Sequence, residues 1–237
     1  MMEFKRKLDR KFDEIRPIKL TYDPFGYSAS SVLFESGNTK VLCAISLENS
    51  VPSFLKNKGT GWLTAEYALL PTSTHQRVLR ESSSVKRNSR SIEISRLIGR
   101  SIRPILNLDN LGEKTIHIDC DVLQADGGTR VACVTGAFLA LKRAQEKWLA
   151  SGLLKKEIII DEIAAISAGI IDGQIIVDLD YEEDSKAEID FNFVLTQTGK
   201  IIELQGTAEK RAIEWEKFIQ IADLAKKSIA QIIETLY

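Results

Sequence analysis

The chain predicts an α+β fold, and three observations carry that prediction. Short apolar runs with a two-residue period are closed by hairpin turns at Gly37-Asn38, Asp172-Gly173 and Thr198-Gly199. Longer runs with helical spacing start near Ile92, Val131 and Ile213. The order, hairpins and then a helix, occurs twice. The 237 residues therefore read as two related βα halves sharing one core, with mixed sheets packed against helices. No Pro/Gly-rich linker divides them, so residues 1–237 are expected to form a single domain.

Taken in order, Ser31–Leu47 predicts a hairpin and Ser50–Gly61 a polar loop. Trp62–Leu70 is strand-like and ends at Pro71. Thr72–Ser89, rich in serine and basic residues and without periodicity, predicts a mobile surface loop. Ser91 is placed to cap a helix from Ile92 to about Leu106, which Pro104 bends or ends. Thr115–Leu123 alternates, with Ile116, Ile118, Cys120 and Val122 on one face and His117, Asp119 and Asp121 on the other. The helix that follows Arg130 should run to about Ala150 and stop near Gly152. In the second half a long helix is expected over Ile213–Leu236.

The formal net charge is only −1, but its distribution is uneven. Arg77–Arg103 holds eight basic residues against Glu81 and Glu93, whereas Glu157–Glu209 is acidic with only Lys186 and Lys200 to offset it. That split suggests a polyanion path in one half and a cation site in the other. Cys43, Cys120 and Cys133 form no CxxC pair and sit among apolar neighbours, as core thiols in a reducing compartment do. No apolar run reaches a membrane span, and the charged start (Glu3, Lys5, Arg6, Lys7) leads into no apolar stretch. A cytoplasmic protein with no membrane partner is expected.

Residues 119–130 lead a strand through Asp126-Gly127-Gly128-Thr129-Arg130 into a helix. Glycines free the backbone N–H groups, the helix start adds partial positive charge, and Arg130 adds a fork, so the turn suits an anion. Alone, such a turn is more often an ordinary tight connection with Arg130 pairing a surface acid. Arg90, just ahead of the first long helix, shifts the balance toward a tetrahedral phosphate. The run Asp178-Leu179-Asp180-Tyr181-Glu182-Glu183-Asp184 starts at the end of an apolar strand. Asp178 and Asp180 should share a side, with Asp184 able to curl back to Asp178. Two carboxylates plus substrate oxygens are the usual protein share of a Mg²⁺ site, although most acidic runs are solvated loops. His75 and His117 lie near no Ser or Cys elbow, which argues against a Ser-His-Asp or Cys-His hydrolase. Arg96, Arg100 and Arg103 line one helix face, either as a charge-paired stripe or as a polyanion contact. Arg77 and Arg80, in the flexible loop, suit a phosphodiester backbone.

Together these segments resemble the RNase PH family of phosphate-dependent exoribonucleases, from about Ile15 to the last helix. The matching stretches are Arg16-Pro17, Gly37–Cys43, Gly61–Tyr67, Ser73-Thr74-His75, Arg96–Arg100, Asp119–Arg130, Asp178–Asp184 and Gln205–Glu209. The resemblance implies a phosphorolytic 3′→5′ exoribonuclease that trims tRNA precursors and releases nucleoside diphosphates. Inorganic phosphate would be its co-substrate, bound by Arg90, Gly128, Thr129 and Arg130. It further implies catalytic, metal-linked aspartates at Asp178 and Asp184, with Mg²⁺ or Mn²⁺ as the ion. RNA-contacting arginines would be Arg77 and Arg80, and the assembly a homohexamer, a trimer of dimers. Thr72, Leu8-Asp9 and Ser89 depart from the family pattern, where a loop arginine, an Asp-Gly and a glycine are usual. A catalytically silent RNA-binding ring subunit, or a metal-dependent hydrolase using water, are the alternatives.

Overall fold

The first half builds a mixed five-stranded sheet from β1 (Ile18–Tyr22), β2 (Ser30–Ser36), β3 (Thr39–Glu48), β4 (Trp62–Leu69) and β5 (Thr115–Gln124). Their spatial order is β1-β2-β3-β5-β4. The computed structural model describes residues 6–80, 88–208 and 210–237. All pairings are antiparallel except β4 with β5. A parallel pair needs a crossover, and helix α1 (Ser89–Ile102) supplies it. Helix α2 (Thr129–Ala150) follows β5 and packs on β2 and β3.

The second half adds β6 (Ile163–Ile171), β7 (Gln174–Val177), α3 (Tyr181–Lys186), β8 (Ile189–Thr196), β9 (Ile201–Ala208) and α4 (Trp215–Leu236). Its sheet is antiparallel, in the order β7-β6-β8-β9. Every residue of β6 is buried. Its Ile163 and Ala165 join the core that contains α2, while Ala164, Ile166, Ala168 and Ile170 join Ile221, Ala225 and Ile229 of α4. The layers are therefore sheet, helices α1 and α2, sheet, helix α4. Being enclosed by sheets, α2 is buried all round over Val131–Leu141, which is why that stretch is free of charge, while Arg143, Glu146 and Lys147 mark its outer end. The expected α+β architecture of mixed sheets packed with helices is present.

Local differences from the sequence reading have physical causes. Helix α1 begins at Ser89 and is capped by Asn88, whose side chain accepts from the Arg90 N–H. Ser91 is buried inside the first turn instead of capping it, and Arg90 lies within the helix. The helix ends at Ile102 in a short 3₁₀ turn carrying Pro104. Helix α2 starts at Thr129, one residue ahead of Arg130. Strand β7 stops at Val177, because Asp178 takes a left-handed backbone (φ +53°) and Asp180 caps α3. Asp178 and Asp180 therefore do not share a strand face. Strand β1 went unpredicted, as an edge strand with little burial and no clean alternation. Of the proposed loop, residues 72–80 have no helix or strand, and residues 81–87, with Lys86 and Arg87, lie outside the described residues. The three cysteines are free and buried, and Cys43 faces Cys120 across β3 and β5 with sulfurs 3.6 Å apart.

Candidate active site

Strand β5 enters the turn at 125–128, and both glycines of that turn are left-handed, Gly127 at φ +76° and Gly128 at φ +65°. A Cβ on Gly127 would lie 2.5 Å from the Asp180 carbonyl carbon and 2.6 Å from the Leu179 oxygen. The backbone of the turn therefore rests directly on residues 179–181, and only glycine permits that approach. Gly128 caps α2 and offers no side chain, so no cap occupies the first N–H groups of this 22-residue helix. Neither α1 nor α2 has an acid in its first turn. Both helix starts are suited to an anion.

Arg16 locks the acidic segment to this turn. Its Nη2 and Nε donate to the two Asp178 carboxylate oxygens at 2.6 and 3.0 Å, and its backbone N–H adds a bond of 2.6 Å. The Arg16 Nη1 donates to the Asp126 carbonyl at 2.7 Å. Both side chains are buried. Burial pushes the Asp178 carboxyl up, but the Arg16 charge and hydrogen bonds outweigh it and hold it below the usual carboxylate range. Glu183 is likewise taken up, bidentately by Arg6 at 2.8 and 3.0 Å and by Arg10 at 3.3 Å. It also closes a capping box with Asp180. Lys7 contacts Glu182 at 3.0 Å. Much of the acidic run is thus neutralised by the chain's own N-terminal cations.

On the other side of the turn, the buried Tyr67 hydroxyl lies 3.1 Å from Thr129 Oγ1, and the Arg90 guanidinium is close enough to influence it. Burial pushes its phenol up to about 12. Arg90, itself exposed, is thereby brought near Thr129 although it stands 39 positions earlier in the chain. Arg130 is half-buried, with its Nη1 donating to Gln205 Oε1 at 3.0 Å and lying 3.6 Å from Glu93. The Gln205 amide in turn donates to Glu93 at 3.2 Å.

The fit to a metal ion is partial. Among the described residues no group of three or more His, Cys, Asp or Glu is arranged to hold one. Asp178 has both oxygens on Arg16, so it does not offer an open pair with Asp184. Asp184 is exposed on α3, and one carboxylate completed by phosphate oxygens and water is an arrangement Mg²⁺ accepts.

Beside the turn lies a cleft of about 290 Å³, lined by Lys7, Asn38, Ser73, His75, Gln124 and Asp126 among others. The His75 ring sits 5.5 Å from that of Tyr181, so the segment after Pro71 reaches the acidic segment. Arg77 and Arg80 are exposed, and Arg80 is close enough to Asp121 to influence it. The stripe on α1 is largely structural. Arg100 pairs bidentately with Glu203 at 2.7 and 2.8 Å, and Arg103 lies 4.3 Å over the Trp62 ring while donating to Leu63 O. His117 pairs with Glu48 at the exposed face of the first sheet.

Sequence reasoning gave no role to Arg6, Arg10, Arg16 or Tyr67. Arg16 and Tyr67 stood in motifs of the resemblance, but nothing local marks a residue whose partner is 162 or 62 positions away. Leu8-Asp9 is now explicable in part. Asp9 is left-handed at φ +53°, a conformation suited to the usual glycine that aspartate tolerates better than most residues.

The chain matches the model of the 3′ exoribonuclease family, domain 1, over residues 14–146 and domain 2 over residues 161–228. It is 49% identical over 227 residues to a protein of Bacillus pumilus named ribonuclease PH, covering 95% of this chain and 94% of that one. The ribonuclease PH of Bacillus subtilis is 50% identical over 226 residues, 95% of this chain and 92% of its own. Among solved structures, an Archaeoglobus fulgidus exosome with RNA bound to the active site aligns at TM-score 0.82 and 18% identity, over 98% of this chain and 93% of that one. Rice Rrp46 aligns at TM-score 0.78 and 16% identity, over 98% of each chain. At these identities the structural matches establish the fold.

Two substitutions test the geometry. Gly127→Ala should destabilise well beyond the roughly 1–3 kcal/mol that left-handed strain alone costs. Gly152→Ala, also left-handed (φ +74°) but with nothing within 4 Å, should show only the strain; equal losses in urea unfolding would contradict the close approach. Asp178→Asn should lower stability at neutral pH by about 3–5 kcal/mol, because Arg16 stays buried and unpaired. The folded Asp178 carboxyl lies below its ordinary value of 3.8, so its contribution is complete above that value and is lost as pH falls through and below it. The gap between parent and variant should therefore narrow in acid, and a constant gap from pH 7 to 3 would remove the ion pair as its cause.

Proposed function

The chain belongs to the 3′ exoribonuclease family, and from that premise we propose a phosphorolytic enzyme that shortens the 3′ ends of tRNA precursors. The observation that carries this reading is the seating of the Gly127 backbone on residues 179–181, which makes the anion turn and the acidic segment one site. A phosphate held by the N–H groups of the turn, Thr129, Arg90 and Arg130 attacks the phosphorus of the last phosphodiester. The bond to the 3′ oxygen of the penultimate nucleotide breaks and that oxygen takes up a proton. The terminal nucleotide leaves as a nucleoside diphosphate, and the RNA is one residue shorter. The reverse reaction uses the same groups. The work is positioning and electrostatic stabilisation, as in phosphoryl transfer generally.

Asp184 would hold Mg²⁺ or Mn²⁺ together with substrate phosphate oxygens, and the ion would neutralise charge on the scissile group when bound. Asp178 acts from its ion pair with Arg16, keeping the acidic segment against the turn. The cleft beside Asn38 and His75 takes the RNA end, and Arg77 and Arg80 hold its backbone without reading sequence. Exposed Ile201 and Leu204 on the edge strand β9, with Trp215 on α4, support self-association, which we assign to a homohexamer. Among the described residues no helix is long and apolar enough to cross a membrane, and we assign the protein to the cytoplasm on its free buried thiols. Retention of Arg90, Thr129, Arg130 and both aspartates is unexpected in a silent ring subunit.

Product identity decides the reaction. On a tRNA precursor, nucleoside diphosphates should appear only with added phosphate. Monophosphates would mean hydrolysis, and no product a silent subunit. Arg130→Ala should reduce turnover at limiting phosphate on the order of 10²-fold, the lower end for loss of an oxyanion donor. Arg77→Ala with Arg80→Ala should weaken RNA binding and reduce the slope of log affinity against log salt by about 1 to 2; an unchanged slope would place both off the RNA.

A further inference from the structure

Tyr67 is spent on nothing that the fold requires of a hydroxyl. Its ring fills the core between β4 and the helices, where phenylalanine would serve equally, yet its oxygen meets the two phosphate-binding residues named above. It is 2% exposed, hydrogen-bonds Thr129 in the first turn of α2, and lies near the Arg90 side chain from the first turn of α1. Either hydroxyl of the Tyr67–Thr129 pair can donate, and the neighbouring guanidinium selects one arrangement. A guanidinium only donates, so the Tyr67 oxygen accepts from Arg90 and its single proton goes to Thr129 Oγ1. Thr129, having accepted there, keeps its own proton for another acceptor.

We infer that Tyr67 is a positioning residue for the attacking phosphate, accepting from Arg90 and donating to Thr129 so that both present their remaining donors to the bound anion. The inference rests on the assignment of Arg90 and Thr129 to phosphate. Burial keeps the phenol protonated at neutral pH, so the relay keeps one direction. A phenylalanine would leave Arg90 unanchored and let the Thr129 hydroxyl turn inward.

Steady-state kinetics with phosphate and RNA varied separately tests this. Tyr67→Phe should raise the phosphate KM about tenfold, the value of one well-placed hydrogen bond, with the RNA KM within about twofold of the parent. In the reverse direction the nucleoside diphosphate KM should rise alike. A merely structural loss would move both substrates together. The double-mutant cycle locates the effect: with Thr129→Val already present, Tyr67→Phe should change the phosphate KM by less than about threefold. Additive effects, or a parental phosphate KM in Tyr67→Phe while Arg90→Ala raises it, would overturn the role of Tyr67 and leave the phosphate site intact. If neither Arg90→Ala nor Arg130→Ala changes that KM, the phosphate assignment falls and the inference with it. Should Tyr67→Phe not fold, Thr129→Val decides, since it deletes the acceptor of the same bond; a parental phosphate KM there overturns the inference.

Discussion

The buried ion pair of Arg16 and Asp178 is the constraint on which the rest of the site depends. One guanidinium spans the Asp178 carboxylate and the Asp126 carbonyl, so it ties the end of β7 to the turn between β5 and α2. It also lies against the β2–β3 hairpin, where a Cβ on Gly37 would come within 2.8 Å of Arg16 Cδ. Three segments from both halves of the chain meet on one side chain. Isolating two charges from water is costly, and the compensation here is a fork-on-carboxylate geometry with a backbone N–H as third donor. Removing one partner strands the other, which makes the pair a register device: the halves dock in the position that satisfies it.

The same logic governs the acidic run as a whole. Read by charge alone, residues 178–184 resemble a cation trap. In the fold, Asp178, Glu182 and Glu183 face Arg16, Lys7, Arg6 and Arg10 from the N-terminal segment, and Asp180 caps α3. The buried carboxylates of Asp178, Asp180 and Glu183 hold the segment in place, while Asp184 is exposed, as the proposed cation role requires.

Hairpins, long helices and the glycine turn ahead of α2 were legible because each has a local cause. Gly37-Asn38 and Asp172-Gly173 turn where turn chemistry demands, and the apolar periods of β5 and α4 persist over many residues. Boundaries shifted where a side chain chose between two local partners: Asn88 took the cap that Ser91 was assigned, and the left-handed Asp178 ended a strand that alternation would have continued. The role of Arg16 was not legible. A buried arginine has the same sequence signature as an exposed one, and only the fold brings its partner from 162 residues away. The arginines of α1 show the converse, since equal spacing hid different fates: Arg100 and Arg103 serve Glu203 and Trp62.

If the glycine turn holds phosphate, as we propose, the charge balance around it sets how strongly the nucleophile is held. Two helix starts contribute about half a positive charge each, and Arg90 and Arg130 contribute two more, against a phosphate of nearly two negative charges. An excess of that kind, fully applied to the ground state, would bind phosphate tightly and gain nothing in rate. Glu93 and Gln205 temper it. They engage Arg130, so a phosphate in the proposed site would compete with them for that arginine. Competition of that kind lowers ground-state affinity for phosphate and leaves more of the binding energy for the transition state. A paired arginine beside a glycine turn is thus compatible with an anion site, and the pairing sets how the binding energy is divided between holding phosphate and using it.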